Sequence, residues 1–160
     1  MLKRFILSLT LFSSLSMACG LHQSTGFNLV TEPGSLEVFG NVVAVRQIDM
    51  LGNLNKPDHF RLFALKAALA KPNSNKVEFS IFEAIKGHYS QVSFEEGVNV
   101  TGRKTLPTKE DLLVVTELDV LDALSTKRVT WQQANDAGLI VINGAPKEVE
   151  QLEAWFSDIF

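Results

Sequence analysis

The chain has 160 residues, which is enough for one ordinary domain with a single hydrophobic core. Its composition, 46% hydrophobic and 21% charged, excludes a wholly disordered, collagen-like or coiled-coil protein. A formal net charge of -3 leaves no strongly basic surface for a phosphate backbone, so we expect no nucleic-acid partner. The single cysteine excludes an intrachain disulfide bond, a zinc ribbon and a redox CxxC site.

Residues 1–18 follow the order of a secretory signal peptide. Two basic residues precede an apolar run and two small residues, namely Lys3, Arg4, residues 5–12, Ser16 and Ala18. We therefore expect cleavage after Ala18 and a periplasmic or secreted mature chain that begins at Cys19. The alternative is a lipoprotein that is acylated and anchored through Cys19. No segment of the sequence is long and apolar enough to be a transmembrane span.

The mature chain is predicted to begin with a loop over residues 19–35, followed by a single α+β domain over residues 36–160. Apolar residues at steps of three and four predict two helices at the start of this domain. Ser35 is expected to cap the first helix, whose apolar stripe contains Leu36, Phe39, Val42 and Val43. The second helix is predicted over residues 58–70, with an apolar side made of Phe60, Phe63, Ala64 and Ala67.

The middle of the chain has the two-residue period of β-strands. Apolar side chains alternate along residues 77–82 and 91–95, which predicts a hairpin that turns near Gly87. Residues 98–101 predict a short third strand. The continuous apolar run over residues 112–115 predicts an inner strand of the sheet.

The last part of the chain predicts a helix, a short helix, a buried strand and a final helix. The signals, in that order, are Thr116 with Asp119, the capping box of Thr130 and Gln133 with Gly138 as its stop, residues 139–142, and Pro146. The complete order of elements predicts an α+β fold with a mainly antiparallel sheet and helices packed on one side.

Residues 112–160 resemble the carboxy-terminal half of the sterol-carrier-protein type-two domain. The resemblance lies in small and apolar residues at matching places, namely residues 113–115, residues 120–124, Ala134, Gly138, residues 139–142 and Gly144. It implies a five-stranded sheet that holds a small apolar or lipid ligand against its helices. The implied ligand lining is drawn from Phe79, Ile81, Val92, Phe94, Val114, Trp131 and Leu139.

The alternative for these lining residues is an ordinary dry core, in which they only pack against one another. Trp131 separates the two interpretations best. A buried indole nitrogen needs a hydrogen-bond partner, or the ring must lie at the mouth of a cavity.

Cys19 and His22 form a second candidate site, for a metal ion. A thiolate and an imidazole within one short loop suit copper or zinc, and the free amino terminus would add a third donor. These donors are too few to close a site by themselves. The identity of any metal or cofactor stays open.

The sequence does not indicate an enzyme. It contains no nucleophile-elbow motif and no phosphate-binding glycine loop. Three functions remain, led by an exported non-enzymatic protein that binds a small apolar molecule. The second is a periplasmic metal-handling or redox accessory protein that uses Cys19 and His22. The third is an interaction module for a protein of the cell envelope, which an exposed apolar patch around Trp155 and Phe160 would favour.

Overall fold

The structure is a computed structural model that describes residues 32–160. The predicted signal peptide, the expected cleavage point and the metal candidates Cys19 and His22 lie outside the described residues. The described part contains five helices and five strands. They are, in chain order, α1 (Ser35–Gln47), α2 (Asp58–Leu69), β1 (Phe79–Glu83), β2 (His88–Ser93), β3 (Asn99–Gly102), β4 (Leu113–Thr116), α3 (Leu118–Ser125), α4 (Trp131–Asp136), β5 (Val141–Asn143) and α5 (Pro146–Ile159).

The five strands form one sheet with the order β3-β2-β1-β4-β5. Neighbouring strands are antiparallel except for β1 and β4, which run parallel, with Ile81 opposite Val114. A parallel pair needs a crossover, and here the chain makes it through β2, β3 and the following loop. The predicted α+β class with a mainly antiparallel sheet is confirmed.

The two faces of the sheet contact different parts of the chain. Phe79 of β1 points to the face that α5 covers, because its ring lies edge-on to Phe156 at a centroid distance of 5.4 Å. Val141 belongs to the other face, because it pairs through Val115 with Phe82, which alternates with Phe79. A Cβ atom built on Gly34 would lie 2.9 Å from the γ-methyl groups of Val141. The start of α1 therefore lies on the face opposite α5.

Helix α3 is buried on almost every side. It packs along α2, and its inward residues belong to the same hydrophobic cluster as the sheet and α5. A helix that is buried all round is usually apolar all round. In α3, however, Asp119 and Asp122 are also buried. The burial of these carboxylates requires partners, which the segment between α1 and α2 supplies.

The sheet-facing sides of α1 and α2 differ from the prediction. The side of α1 that faces the core contains Val38, Val42 and Val45, and the side of α2 that faces the core contains Arg61, Leu65, Ala68 and Leu69. Four residues of the predicted apolar sides are exposed instead, namely Leu36, Phe39, Phe60 and Phe63. Ser35 is also not a cap but the first residue of α1, after Gly34. Both helices have apolar residues on two sides, so their period could not indicate which side is buried.

Within residues 32–160, no helix combines the length and the apolar character that a membrane crossing requires.

Candidate functional site

Six of the seven residues predicted to line a ligand site are buried in the core, namely Phe79, Ile81, Val92, Val114, Trp131 and Leu139, and the seventh, Phe94, is partly buried against it. Phe79, Ile81 and Val114 share the sheet face that α5 covers, since Ile81 lies opposite Val114 in the β1–β4 pair. The Trp131 ring lies edge-on to Phe156, 5.4 Å between centroids. Phe156 therefore links Trp131 to Phe79.

Sequence reasoning did not select Trp155 as a site residue, although it lies at the centre of this cluster. Its ring is fully buried and lies 5.5 Å from Phe94 and 6.2 Å from Phe79, measured between centroids. Its Nε1 donor is buried and has no hydrogen-bond partner within residues 32–160. An unsatisfied buried donor costs about 1–3 kcal/mol, so this N–H needs an explanation.

An exposed apolar patch around Trp155 and Phe160 would favour the interaction module, but these residues do not form one. Trp155 and Phe160 are both buried, so they present no apolar surface. The requirement that a buried indole nitrogen have a hydrogen-bond partner holds for both tryptophans of the sequence. The sequence could not show that the Trp155 indole nitrogen would lack a partner, because this depends on how α5 turns Trp155 toward the sheet.

A second cluster of functional interest surrounds the start of α3, where three acidic residues are buried. Arg46 of α1 donates from Nε to Asp119 at 2.7 Å, and its Nη2 lies 3.4 Å from a carboxylate oxygen of Glu117. The other oxygen of Glu117 accepts the backbone N–H of Ile85 at 2.5 Å. Burial is the main cause that raises the pKa of Glu117 above its ordinary value, although the Ile85 N–H opposes this rise.

Asp122 is the third buried acid. It accepts hydrogen bonds from Lys56 at 2.5 Å and from the side-chain amide of Asn53 at 2.7 Å. The same amide donates to the backbone carbonyl of Asp119. Arg61 completes the cluster, because it donates to the carbonyls of Asn53 and Leu54. We call this set of residues the polar clamp: Arg46, Asn53, Lys56, Arg61, Glu117, Asp119 and Asp122.

A cleft of about 500 Å³ opens beside the polar clamp. Its lining is mostly polar and comes from the α1–α2 connection and the end of α3, namely Asp49, Leu51, Gly52, Asn53, Lys56, Asp122, Thr126, Lys127 and Arg128. Each of the three buried carboxylates lies within 3.4 Å of a basic side chain, and two of them share Arg46. This arrangement fastens α1 and α2 to α3, and it holds no nucleophile beside a base.

The metal hypothesis receives no site from the described residues. Within residues 32–160, no group of three or more His, Cys, Asp or Glu side chains is arranged to hold a metal ion. The prediction for Cys19 and His22 concerns residues outside this range and stays a prediction.

Tyr89 binds the first described residue, Glu32, to the sheet. Its hydroxyl donates to Glu32 at 2.6 Å, and burial together with the nearby carboxylate raises the pKa of Tyr89. The Asn143 side chain also donates to the carbonyl of Pro33. These bonds hold the chain that enters α1 against the face opposite α5.

Comparison with known proteins gave one similarity. No family model and no curated protein matches the chain. Among solved structures, the chain is similar to the crystal structure of Sterol Carrier Protein 2 Like 2 from Aedes aegypti, with 18% sequence identity and a TM-score of 0.42. The match covers 60% of this chain and 93% of that chain. That protein carries the name of the family that residues 112–160 resemble.

Proposed function

We propose that this protein is a non-enzymatic binding protein for a small apolar or lipid molecule, held between the sheet and α5. The observation that carries the proposal is the Nε1 donor of Trp155, which is buried among aromatic rings without a partner in residues 32–160. A ligand that presents a carbonyl or carboxylate oxygen to this donor would satisfy it. The same ligand would place its apolar part against Phe79, Ile81 and Val114.

The aromatic surroundings of Trp155 support an apolar ligand that has one polar end. Phe79, Phe94 and Phe156 surround the indole at centroid distances of 5.5 to 6.2 Å. In this environment a hydrogen bond from the indole meets little competition from water. A hydrocarbon would gain only from burial, whereas a fatty acid or ester would gain from burial and from the hydrogen bond.

Entry of a ligand requires α5 to move away from the sheet, because the lining residues are packed against it. Among the described residues, few polar bonds hold α5 in place. Lys127 donates to the carbonyls of Ile159 and Phe160 at 2.6 and 2.9 Å, and an exposed bond joins Asn73 to Asp158 at 3.2 Å. The amide of Gln151 adds one bond to the carbonyl of Asn75. We propose that α5 is the element that opens.

The compartment is part of the proposal and rests on residues 1–18 alone. Their signal-like order supports export to the periplasm or secretion, with a lipid anchor on Cys19 as the alternative. The absence of catalysis is also proposed, on the ground that the buried acids of the polar clamp are occupied by Arg46, Lys56 and Asn53.

The first test is mass spectrometry of the purified protein under native and then denaturing conditions. We expect an organic adduct in the native spectrum that is lost on denaturation. A metal-sized increment that disappears in Cys19→Ala, with no organic adduct, would contradict the proposal and favour the metal-handling alternative. A mass that is equal under both conditions would also count against a tightly held ligand.

The second test compares two conservative variants, Trp155→Phe and Trp131→Phe, in calorimetric titrations. The probes are a long-chain fatty acid, which has an acceptor oxygen, and pyrene, which has none. A hydrogen bond to a charged group contributes about 1.5–3 kcal/mol, so Trp155→Phe should weaken fatty-acid binding at least about tenfold. Its effect on pyrene should match that of Trp131→Phe. Equal losses for both probes in Trp155→Phe would refute the role of the indole donor.

A further inference from the structure

The cleft beside the polar clamp has a charged lining. It lies between the α1–α2 connection and the end of α3, and it shares no lining residue with the apolar site proposed between the sheet and α5. Leu51 is the one apolar side chain in its lining. A cleft of about 500 Å³ is large enough for a small molecule, and this lining favours a polar one. The charged lining residues are Asp49, Lys56, Asp122, Lys127 and Arg128.

Two of these charged side chains have no partner in the described part of the chain. Lys56 and Asp122 bind each other, and Lys127 donates to two carbonyls at the carboxyl end of α5. Asp49 and Arg128 form no ion pair and no side-chain hydrogen bond, either with each other or with another described residue. The cleft therefore offers one free carboxylate and one free guanidinium.

Gly52 makes room for the Arg128 side chain. A Cβ atom built on Gly52 would lie 2.9 Å from Nε of Arg128 and 3.3 Å from its Cζ. The guanidinium therefore lies against the backbone of the α1–α2 connection, in the space that a larger residue would fill. Gly52 also has a φ of 64°, a conformation that favours glycine. A guanidinium that is placed here without a carboxylate partner is available to an anion.

Asn53 supplies a buried acceptor without a partner at the floor of the same cleft. The residue is 8% exposed, and its Oδ1 accepts no hydrogen bond from any described residue. Its amide nitrogen donates to the Asp119 carbonyl at 2.8 Å and to the Asp122 carboxylate at 2.7 Å. A flipped amide would place its oxygen against these two acceptors, so the orientation is determined. The Asn53 carbonyl therefore needs an N–H or O–H donor.

We propose that this cleft binds a small zwitterion, namely an α-amino acid with a small polar side chain. Its carboxylate pairs with the Arg128 guanidinium, and its ammonium group lies between Asp49 and the Asn53 carbonyl. A zwitterion satisfies all three groups, because it has both an anion and a strong donor. A simple anion would leave Asp49 and Asn53 without partners, and a simple cation would leave Arg128 without one. The proposal holds whether or not the core binds an apolar ligand.

The test titrates the isotope-labelled full chain with L-serine and follows the backbone amide resonances by NMR. Two analogues each lack one charge, since N-acetyl-L-serine has no ammonium group and L-serinamide has no carboxylate. We expect L-serine to shift the resonances of Gly52, Asn53 and Arg128. Each analogue should bind about tenfold more weakly, because one charged hydrogen bond is lost. The shifted resonances report where the probe binds, so binding to another part of the chain is recognised.

Two variants assign the charges. Arg128→Gln and Asp49→Asn should each weaken L-serine binding about tenfold. Arg128→Gln should not change the affinity for L-serinamide, which has no carboxylate to lose its partner. Asp49→Asn should not change the affinity for N-acetyl-L-serine, which has no ammonium group. A merely structural effect of either substitution would weaken all three probes alike.

Gly52→Ala tests the placement of the guanidinium. The added methyl group displaces Arg128, so L-serine binding should weaken about as much as in Arg128→Gln. Gly97→Ala is the matched control for backbone strain. Gly97 also has a positive φ, of 100°, but a Cβ atom there meets no other atom within 4 Å. Gly97→Ala should therefore bind L-serine as the parent chain does.

Three results would overturn the proposal. One is the absence of a saturable shift at Gly52, Asn53 and Arg128 with L-serine, since the cleft would then hold only water. Another is equal affinity for L-serine and N-acetyl-L-serine, which would make the cleft a site for simple anions. The third is an L-serine affinity that neither Arg128→Gln nor Asp49→Asn changes, because the two free charges would then have no part in binding.

Discussion

Arg46 offers the sharpest test of how the polar clamp stabilises the fold. Its guanidinium faces two carboxylates that are almost completely buried, those of Glu117 and Asp119. The substitution Arg46→Met keeps most of the aliphatic stem and removes the charge. Both carboxylates then lose their nearest cation while they stay buried, which is the costly way to break an ion pair.

The expected cost follows from the geometry. One pair of unit charges about 4 Å apart is worth about 4 kcal/mol at an effective dielectric constant of about 20. The Arg46 side chain is 27% exposed, so water screens part of this energy and offsets part of the loss. We therefore expect a loss of about 3 kcal/mol near pH 7, at the lower end of the range for broken buried pairs.

The assay is urea unfolding followed by far-UV circular dichroism. With a slope of about 2 kcal/mol per M, the midpoint should fall by about 1.5 M with no change in slope. Lys71→Met is the control, because Lys71 is exposed and forms no ion pair with the other described residues. Its midpoint should hardly change. If Arg46→Met costs less than about 1 kcal/mol, the pairing contributes little and the reasoning fails.

The remaining predictions concern Glu117 and Gly34. The pKa of Glu117 is raised in the folded state, so its contribution to stability is present below the unfolded pKa and is lost as the pH rises through the folded pKa. The stability of Glu117→Gln relative to the parent should therefore rise between about pH 4 and pH 7, by about 1.4 kcal/mol for each pH unit that separates the folded and unfolded pKa values. Urea midpoints that differ by a constant amount across this range would contradict this prediction. Gly34 has a φ of 80° and lies against Val141. Gly34→Ala should therefore lower the thermal midpoint through both backbone strain and a clash, at a cost of at least about 1 kcal/mol. Gly40→Ala is the control, because a Cβ atom at Gly40 meets no other atom within 4 Å.

Structural features that depend on residues close together in the chain were predicted correctly. The capping box is confirmed, because Gln133 N donates to the Thr130 hydroxyl at 3.2 Å and Thr130 N donates to the Gln133 side chain at 3.0 Å. Gly138 has the left-handed φ of 61° that a helix stop requires, and Pro146 is the first residue of α5. These features depend on residues no more than a few positions apart, so the sequence contains the whole interaction.

Other predictions failed where a distant residue decides the outcome. Thr116 was expected to cap a helix with the help of Asp119, but its hydroxyl donates to the carbonyl of Leu139 at 2.9 Å. Asp119 is bound by Arg46, which lies 73 positions away. The N-cap of α3 is Glu117, one residue later than expected, and its side chain makes no capping hydrogen bond. A local motif was present, but the tertiary partners outcompeted it.

The buried side of α2 also could not be predicted from the sequence, because residues outside the helix decide it. Phe60 and Phe63 are more apolar than Arg61, yet Arg61 is the buried residue because two backbone carbonyls receive its guanidinium. Hydrophobic periodicity counts apolar residues and assigns no value to such bonds. The buried position of Arg61 is therefore a property of the loop before α2, and the exposed aromatic side follows from it.

The proposed opening of α5 follows from the kinds of interaction that hold each part of the fold. Partly buried ion pairs of the polar clamp join α1 and the α1–α2 connection to α3, and Arg61 binds α2 to that connection, so this part of the molecule resists separation. Helix α5 is joined to the rest by apolar packing, by bonds from Lys127 and Gln151, and by one exposed bond at Asp158. Apolar packing loses less than a buried ion pair when a lipid-like ligand replaces one of its surfaces. Helix α5 is therefore suited to opening, because apolar packing rather than buried ion pairs holds it.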